Sequence, residues 1–117
     1  MTTGISENDL KKNVNLFCDD TYTTTLAGST EATLTIPATK SVGSIGIATN
    51  EWLAEFSYSD GAVVWVANNA TAAVPAGATL AASTSELNPR YKRVKAGDII
   101  SVISAGTPSL SIALYSI

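Results

Sequence analysis

The segment from Glu51 to Ala67 constrains the fold of this chain more than any other. It consists of two runs of strand-forming residues, EWLAEFSYS and AVVWVA, joined by Asp60-Gly61. An Asp-Gly pair between two such runs is the strongest short-range signal of a β-hairpin with a two-residue turn. The sequence therefore predicts an antiparallel strand pair here, in a domain rich in β-structure.

A two-residue turn also determines which residues of the two strands share a face. The predicted facing pairs on one surface are apolar and aromatic: Tyr58 with Val63, Phe56 with Trp65, and Ala54 with Ala67. The predicted pairs on the other surface include polar residues: Ser57 with Val64, and Glu55 with Val66. We therefore expect Trp65 to lie in the core beside Phe56.

Short strand-like runs separated by turn residues make up most of the remaining chain. EATLTIP alternates apolar and polar residues, SVGSIGIA reads as one glycine-containing strand, and the run Ile99–Ile103 is apolar on both faces, as in a central or interface strand. No amphipathic helical pattern separates these runs. The sequence predicts an all-β fold, a small antiparallel β-sandwich or jelly-roll-like barrel over residues 14–117, with a short N-terminal arm over residues 1–13.

The composition favours an assembly protein over an enzyme. Many of the hydrophobic residues in this 12.1 kDa, 117-residue chain are alanines, so the core is thin and we expect a homo-oligomer. Histidine is absent and Cys18 is the only cysteine, which removes the commonest metal ligands and the usual general base. We predict no catalytic activity and no cofactor. Neither a signal peptide nor a membrane-spanning run is visible, and we expect no membrane partner.

Two sets of polar residues offer weaker, alternative interpretations. Glu51 and Glu55 fall on one side of a strand, as an acid and base pair acting on a glycosidic bond would, but solvent-facing charge is the commoner role. Asp19-Asp20, with Asn68-Asn69 or Asp98, would supply oxygen ligands for calcium if the fold brought them together. Turn formation by these side chains is the simpler interpretation.

Positive charge is concentrated in one short segment. Arg90, Lys92, Arg93 and Lys95 contribute +4, and since the whole chain carries −3, the remainder carries −7. Such a basic stripe on an acidic particle is suited to docking an acidic protein surface. Nucleic acid is not expected as a partner, because the sequence pI of about 4.7 implies repulsion from phosphates and Tyr91 alone offers base stacking within the stripe.

The order of features from Trp52 to Val102 carries a family resemblance. FSYSDGAVVWVA is followed by an Ala/Thr-rich loop with Pro75-Ala76-Gly77, the turn SELNP, the basic segment, and AGD before an aliphatic strand. This half of the chain resembles small virion structural proteins of tailed bacteriophages, notably head decoration or cement proteins. The resemblance implies a compact β domain, often a trimer or dimer, that is made in the host cytoplasm and clamps major capsid protein subunits on the outside of the virion head. It implies no catalytic residue.

Candidate contact residues follow from this role and from the charge pattern. For binding to the capsid we select six basic side chains, Arg90, Lys92, Arg93 and Lys95 of the stripe and Lys11 and Lys12 of the arm. The alternative function is a host-surface or carbohydrate-binding virion module, such as a small fibre or tail component. That module would use the loop from Asn68 to Pro89 or exposed aromatic side chains for attachment.

Overall fold

The computed structural model describes residues 17–42, 45–75, 80 and 82–117. The predicted arm, residues 1–13 with Lys11 and Lys12, lies outside these residues. Within them the regular structure consists of ten strands: β1 Asp20–Thr25, β2 Ala32–Thr35, β3 Thr39–Val42, β4 Ile45–Ala48, β5 Glu51–Tyr58, β6 Trp65–Asn68, β7 Glu86–Leu87, β8 Tyr91–Lys95, β9 Ile99–Ile103 and β10 Ser109–Ser116. No helix in this part of the chain is long and apolar enough to cross a membrane.

The strands form two packed four-stranded sheets and a separate two-stranded one. The first sheet has the order β1-β10-β5-β8 and the second sheet β2-β9-β6-β7, with β3 and β4 paired together. Every strand pair is antiparallel. The fold is therefore a small antiparallel β-sandwich, and this prediction is confirmed.

Strict alternation in β5 and β10 produces the core face of the first sheet. Trp52, Ala54 and Phe56 are buried, and the next residue of that series, Tyr58, packs against the same core. On β10 the buried residues are those directly opposite or next to them: Leu110, Ile112 and Leu114. Each face of a strand repeats every second residue, so one sequence pattern is enough to bury an entire row.

The central position of β9 is also as predicted. β9 pairs with β2 on one side and β6 on the other. Its Ile100 and Val102 are in the core, while Ser101 on the opposite face is buried where the Ala72 N–H donates to its hydroxyl (2.9 Å). The chain after β6 thus covers part of the outer face of the second sheet.

The predicted hairpin across Asp60-Gly61 is wrong, although the turn itself is present. The Ala62 N–H donates to the Ser59 carbonyl (3.1 Å), and Gly61 has a φ of 71°. β5, however, belongs to the first sheet and β6 to the second. Two-residue hairpin turns need a positive φ at their first central residue, and Asp60 does not have one. The turn therefore carries the chain from one sheet to the other.

The predicted core position of Trp65 is wrong for the same reason. Val64 and Val66 are the buried residues, whereas Val63 is 53% exposed and Trp65 is half-buried on the outer face of the second sheet. Val66 is opposite Val102 of the core, which sets the direction of every neighbour along β6. A change of partner strand selects which of two alternating sets of side chains points inward.

The run SVGSIGIA forms two strands instead of the single one predicted. β3 extends to Val42 and β4 begins at Ile45, with Val42 opposite Ile45. Glycine and serine in the middle of an apolar run are compatible with a reversal as well as with a bulge.

Candidate functional site

The basic segment forms one edge of the first sheet. Among the described strands β8 pairs with β5 alone, and Val94 is the buried residue of β8 because it lies opposite Trp52. Arg90 precedes the strand, Lys92 shares the inner side with Val94, and Arg93 and Lys95 lie on the outer face. The structure thus brings the four predicted stripe residues together along one exposed strand, which we call the β8 edge (residues 90–95).

Carboxylates accompany part of this positive charge. Lys92 Nζ lies 2.6 Å from Glu86 Oε1, and Lys95 is directly opposite Glu51 on β5. Arg90, Arg93 and Lys95 form no ion pair within the described part of the chain. These three cationic groups are therefore the ones that an acidic partner would meet without first breaking an ion pair.

The backbone of the β8 edge has one side bonded and one side free. The Phe56 N–H donates to the Arg90 carbonyl and the Ala96 N–H to that of Asn50, both at 2.8 Å. Alternate residues of a strand point their N–H and C=O groups to opposite sides, so Tyr91 and Arg93 point away from β5. No hydrogen bond to these four backbone groups is formed by the described residues.

The unpaired stretch of β8 backbone ends at Lys95, whose N–H and C=O groups are both hydrogen-bonded to Asp98. The Lys95 N–H donates to Asp98 Oδ2 (2.9 Å), and its carbonyl accepts from the Asp98 N–H (3.0 Å). The Lys95 N–H first, and then the Asn69 amide, lower the pKa of Asp98 from its usual value by stabilising the carboxylate.

The calcium hypothesis needed Asp19-Asp20 beside Asn68-Asn69 or Asp98, but Asp20 begins β1, at the opposite edge of the first sheet from β8, and Asp19 Oδ2 accepts from the Ser116 N–H (2.7 Å). Asn68, Asn69 and Asp98 do come together. The Asp98 oxygens already accept from both asparagine amides (3.3 and 3.0 Å), and Asn69 Oδ1 accepts from the Ile99 N–H (2.8 Å). These oxygens tie the β8–β9 turn to the end of β6. The described residues contain no group of three or more His, Cys, Asp or Glu placed to hold a metal ion.

Glu51 and Glu55 lie on the outer face of the first sheet. Glu55 Oε1 accepts from the Tyr115 hydroxyl (3.0 Å), and this bond is the main reason that the pKa of Tyr115 is raised. Glu51 lies at the other end of the same row, opposite Lys95. The two carboxylates therefore lie along one face of β5, with Tyr115 bonded to Glu55 and Lys95 opposite Glu51.

A second surface, unforeseen in the sequence, surrounds Trp65. A groove of about 600 Å³ lies beside the turn that follows β5, and we call it the Trp65 groove. Its wall combines apolar and polar residues from three segments: Asp60, Val63, Trp65 and Val74, with the loop Ser104–Pro108. The Ser104 hydroxyl donates to the Val63 carbonyl (2.6 Å) and thereby connects two of those segments.

The sequence signal for this groove was ambiguous. Both alternating sets of side chains in AVVWVA are apolar, so the pattern does not indicate which set faces outward. A smaller, mostly apolar cleft of about 190 Å³ lies between the edge strands β1 and β2, where Tyr22 and Leu34 stand over the core. Its lining continues the hydrophobic core and contains no ionisable group other than the tyrosine.

A scan against models of known protein families, a search of curated proteins and a search of solved structures each found no match to this chain. The two surfaces of the described residues that bear on function are the β8 edge and the Trp65 groove.

Proposed function

We propose that this chain is a structural protein of a bacteriophage virion, a decoration or cement protein that binds the major capsid protein on the outer head surface and stabilises the shell. The observation that carries this proposal is the β8 edge, where four basic side chains line one exposed strand of a domain whose other residues sum to −7. Such a surface is better suited to contact with a shallow, acidic surface of another protein than to binding a small molecule.

Binding in many copies explains how a shallow contact would suffice. Individually weak contacts repeated over a shell lattice give strong collective attachment, particularly when each particle is itself a dimer or trimer. We include homo-oligomerisation, synthesis in the host cytoplasm and residence in the virion in this proposal. Catalytic chemistry and a cofactor have no part in it.

The test is the occupancy of this protein on capsid shells from which it has been removed. Arg90→Gln with Arg93→Gln changes the charge of the β8 edge by −2. The matched control is Thr23→Glu with Thr25→Glu, the same change at the exposed opposite edge of the first sheet. We expect the first variant to bind about tenfold more weakly at low salt and the control to bind like the wild type.

Two results would count against the proposal in different ways. Equal binding of both double variants would remove the β8 edge from the contact. Failure of the wild-type protein to bind depleted shells at any salt concentration would overturn the capsid function itself.

A second candidate function, a carbohydrate-binding virion module, is favoured by one observation: Trp65 lies outside the core, in a groove of about 600 Å³. Aromatic faces stack on sugar rings, and the Asp60 carboxylate at the same groove would accept hydrogen bonds from sugar hydroxyls. A glycan array should then show binding that Trp65→Ala abolishes, with folding verified by the emission of Trp52. An array without any signal would exclude this candidate.

A further inference from the structure

The β8 edge combines basic side chains with backbone groups that no described residue bonds. The N–H and C=O groups of Tyr91 and Arg93 face away from β5, and no other described residue bonds them. The side chains on either side of this backbone are largely basic. We propose that the β8 edge accepts an extended, acidic segment of a partner chain as an additional strand of the first sheet.

The free backbone can support such pairing only over a short distance. Tyr91 and Arg93 together offer two donors and two acceptors, and Asp98 occupies those of Lys95. An added strand would therefore form up to about four ladder bonds, each of which contributes only modestly to affinity. Side-chain contacts must supply the remaining affinity and all of the selectivity.

The side chains favour acidic residues on one face of the added strand. Tyr91, Arg93 and Lys95 lie on the outer face of the sheet, so an added residue on that face would meet a guanidinium or ammonium group. On the inner side Lys92 and Glu86 stand at a cleft of about 240 Å³, whose floor includes Phe56 and Val66. The inferred partner segment alternates acidic residues with a side chain that enters this cleft.

The same charges act against a second copy of this chain as the occupant. Two β8 edges paired with each other would bring Arg93 and Lys95 of one copy toward the same cations of the other, and like charges on adjacent strands repel. Basic residues on edge strands commonly prevent sheet-to-sheet aggregation. Simple edge protection of that kind predicts no added strand at all, which makes the two interpretations separable.

The decisive substitution removes one backbone donor without touching the pairing with β5. Arg93→Pro and Arg93→Gln both lose the positive charge, but only proline lacks the N–H that faces the free edge. We expect Arg93→Gln to weaken binding to depleted shells about threefold to tenfold, and Arg93→Pro about fivefold further. Tyr91→Pro with Tyr91→Ala repeats the comparison at constant charge. Equal binding within both pairs would overturn the inference.

Amide exchange of the wild-type protein provides a test that no substitution can compromise. On shells, exchange at Tyr91 and Arg93 should slow at least about tenfold, because ladder bonding protects an amide. The identity of the partner rests on the proposed function, so a second arm uses the synthetic peptide Thr-Glu-Val-Glu-Val-Glu-Thr and its lysine counterpart, followed by NMR.

The two arms distinguish the failures. Shell binding with unchanged exchange at both amides overturns strand addition and leaves the capsid function intact. Without shell binding the capsid function fails, and protection by the acidic peptide but not the basic one would still support strand addition. Protection by neither peptide, in a chain that binds no shell, overturns both.

Discussion

Trp52 and Trp65 lie on the two strands that flank a single turn, but their surroundings are opposite. Trp52 is 0% exposed in the core, and its indole N–H donates to the Pro37 carbonyl (2.9 Å). Trp65 is half-buried on the outer face of the second sheet, at the wall of the Trp65 groove. The size of an aromatic residue therefore does not decide its burial. The partners of its strand do.

The difference arises because β5 and β6 have other partners. Both sides of β5 are occupied, by β10 and β8, so β6 has no place beside it. Asn88 stabilises the course that the chain takes after the turn, because its Oδ1 accepts from the Val64 N–H (2.8 Å) and its Nδ2 donates to the Ala62 carbonyl (2.9 Å). The chain leaving the turn is thereby guided toward β7.

The largest effect should come from truncating the two tryptophans. Trp52→Ala should lower the free energy of unfolding by about 3–5 kcal/mol, because it removes buried area, creates a cavity and leaves the Pro37 carbonyl without its donor. Trp65→Ala should cost less, since a partly exposed side chain loses less buried area on truncation. Urea unfolding of both variants measures the difference, and equal losses would contradict the assignment of inner and outer faces.

The neighbouring residues Val63 and Val64 allow the inner and outer faces to be compared with a single residue type. Val64 is 0% exposed, whereas its neighbour Val63 is 53% exposed. Val64→Ala should destabilise the protein by about 2 kcal/mol and Val63→Ala by less than about 0.5 kcal/mol. The predicted hairpin register would give the reverse order, so the sign of the difference in urea midpoint between the two variants distinguishes the arrangements.

Asn88 tests what directs the chain between the sheets. It has a φ of 44°, which is uncommon for a residue with a side chain, and Asn88→Ala removes its two bonds to the turn as well. We expect a loss of about 2 kcal/mol. Asn88→Gly also lacks the two side-chain hydrogen bonds, but glycine adopts a positive φ without strain. This variant should therefore be more stable than Asn88→Ala by a few tenths to about 1 kcal/mol. A glycine variant as unstable as the alanine one would show that the backbone conformation is unimportant.

The sequence contained the pattern of β5 but not that of β6, and the physical reason is specific. In β5 the polar set, including Glu51 and Glu55, points to one face only, so alternation alone assigns the core. In AVVWVA both sets are apolar, and the choice depends on which distant strand lies alongside. The Asp-Gly pair correctly indicated a turn, but whether a turn closes a hairpin depends on whether the strand before it has a free edge.

Among the features of the candidate sites, too, one could be predicted from the sequence and the others could not. The basic stripe was visible because charge is a property of single residues, and β8 places its members together as a consequence of one strand. The free backbone of Tyr91 and Arg93 was not visible, since it depends on β8 being the last strand of its sheet. The Trp65 groove was missed because its walls come from segments that are far apart in the chain.

The smallest expected effect concerns how the far end of β6 is held. Asp98 accepts hydrogen bonds from the Lys95 backbone and from Asn69, and these bonds place its pKa in the folded protein below the ordinary value of 3.8. A depressed folded pKa means that the contribution to stability is complete above the unfolded pKa and is lost as the pH falls through the folded one. Because Asp98 is partly exposed, solvent screening keeps this contribution modest.

Asp98→Asn should therefore be less stable than the wild type near neutral pH, and the difference should shrink below about pH 4 as the wild-type carboxylate is protonated. Urea unfolding of both proteins across that range measures it. Asp60→Asn, at the exposed turn beside the other end of β6, is the matched control for the loss of one negative charge. A stability difference for Asp98→Asn that stays constant with pH would show that the amide replaces the carboxylate equally well, and that β6 is positioned by its strand partners alone.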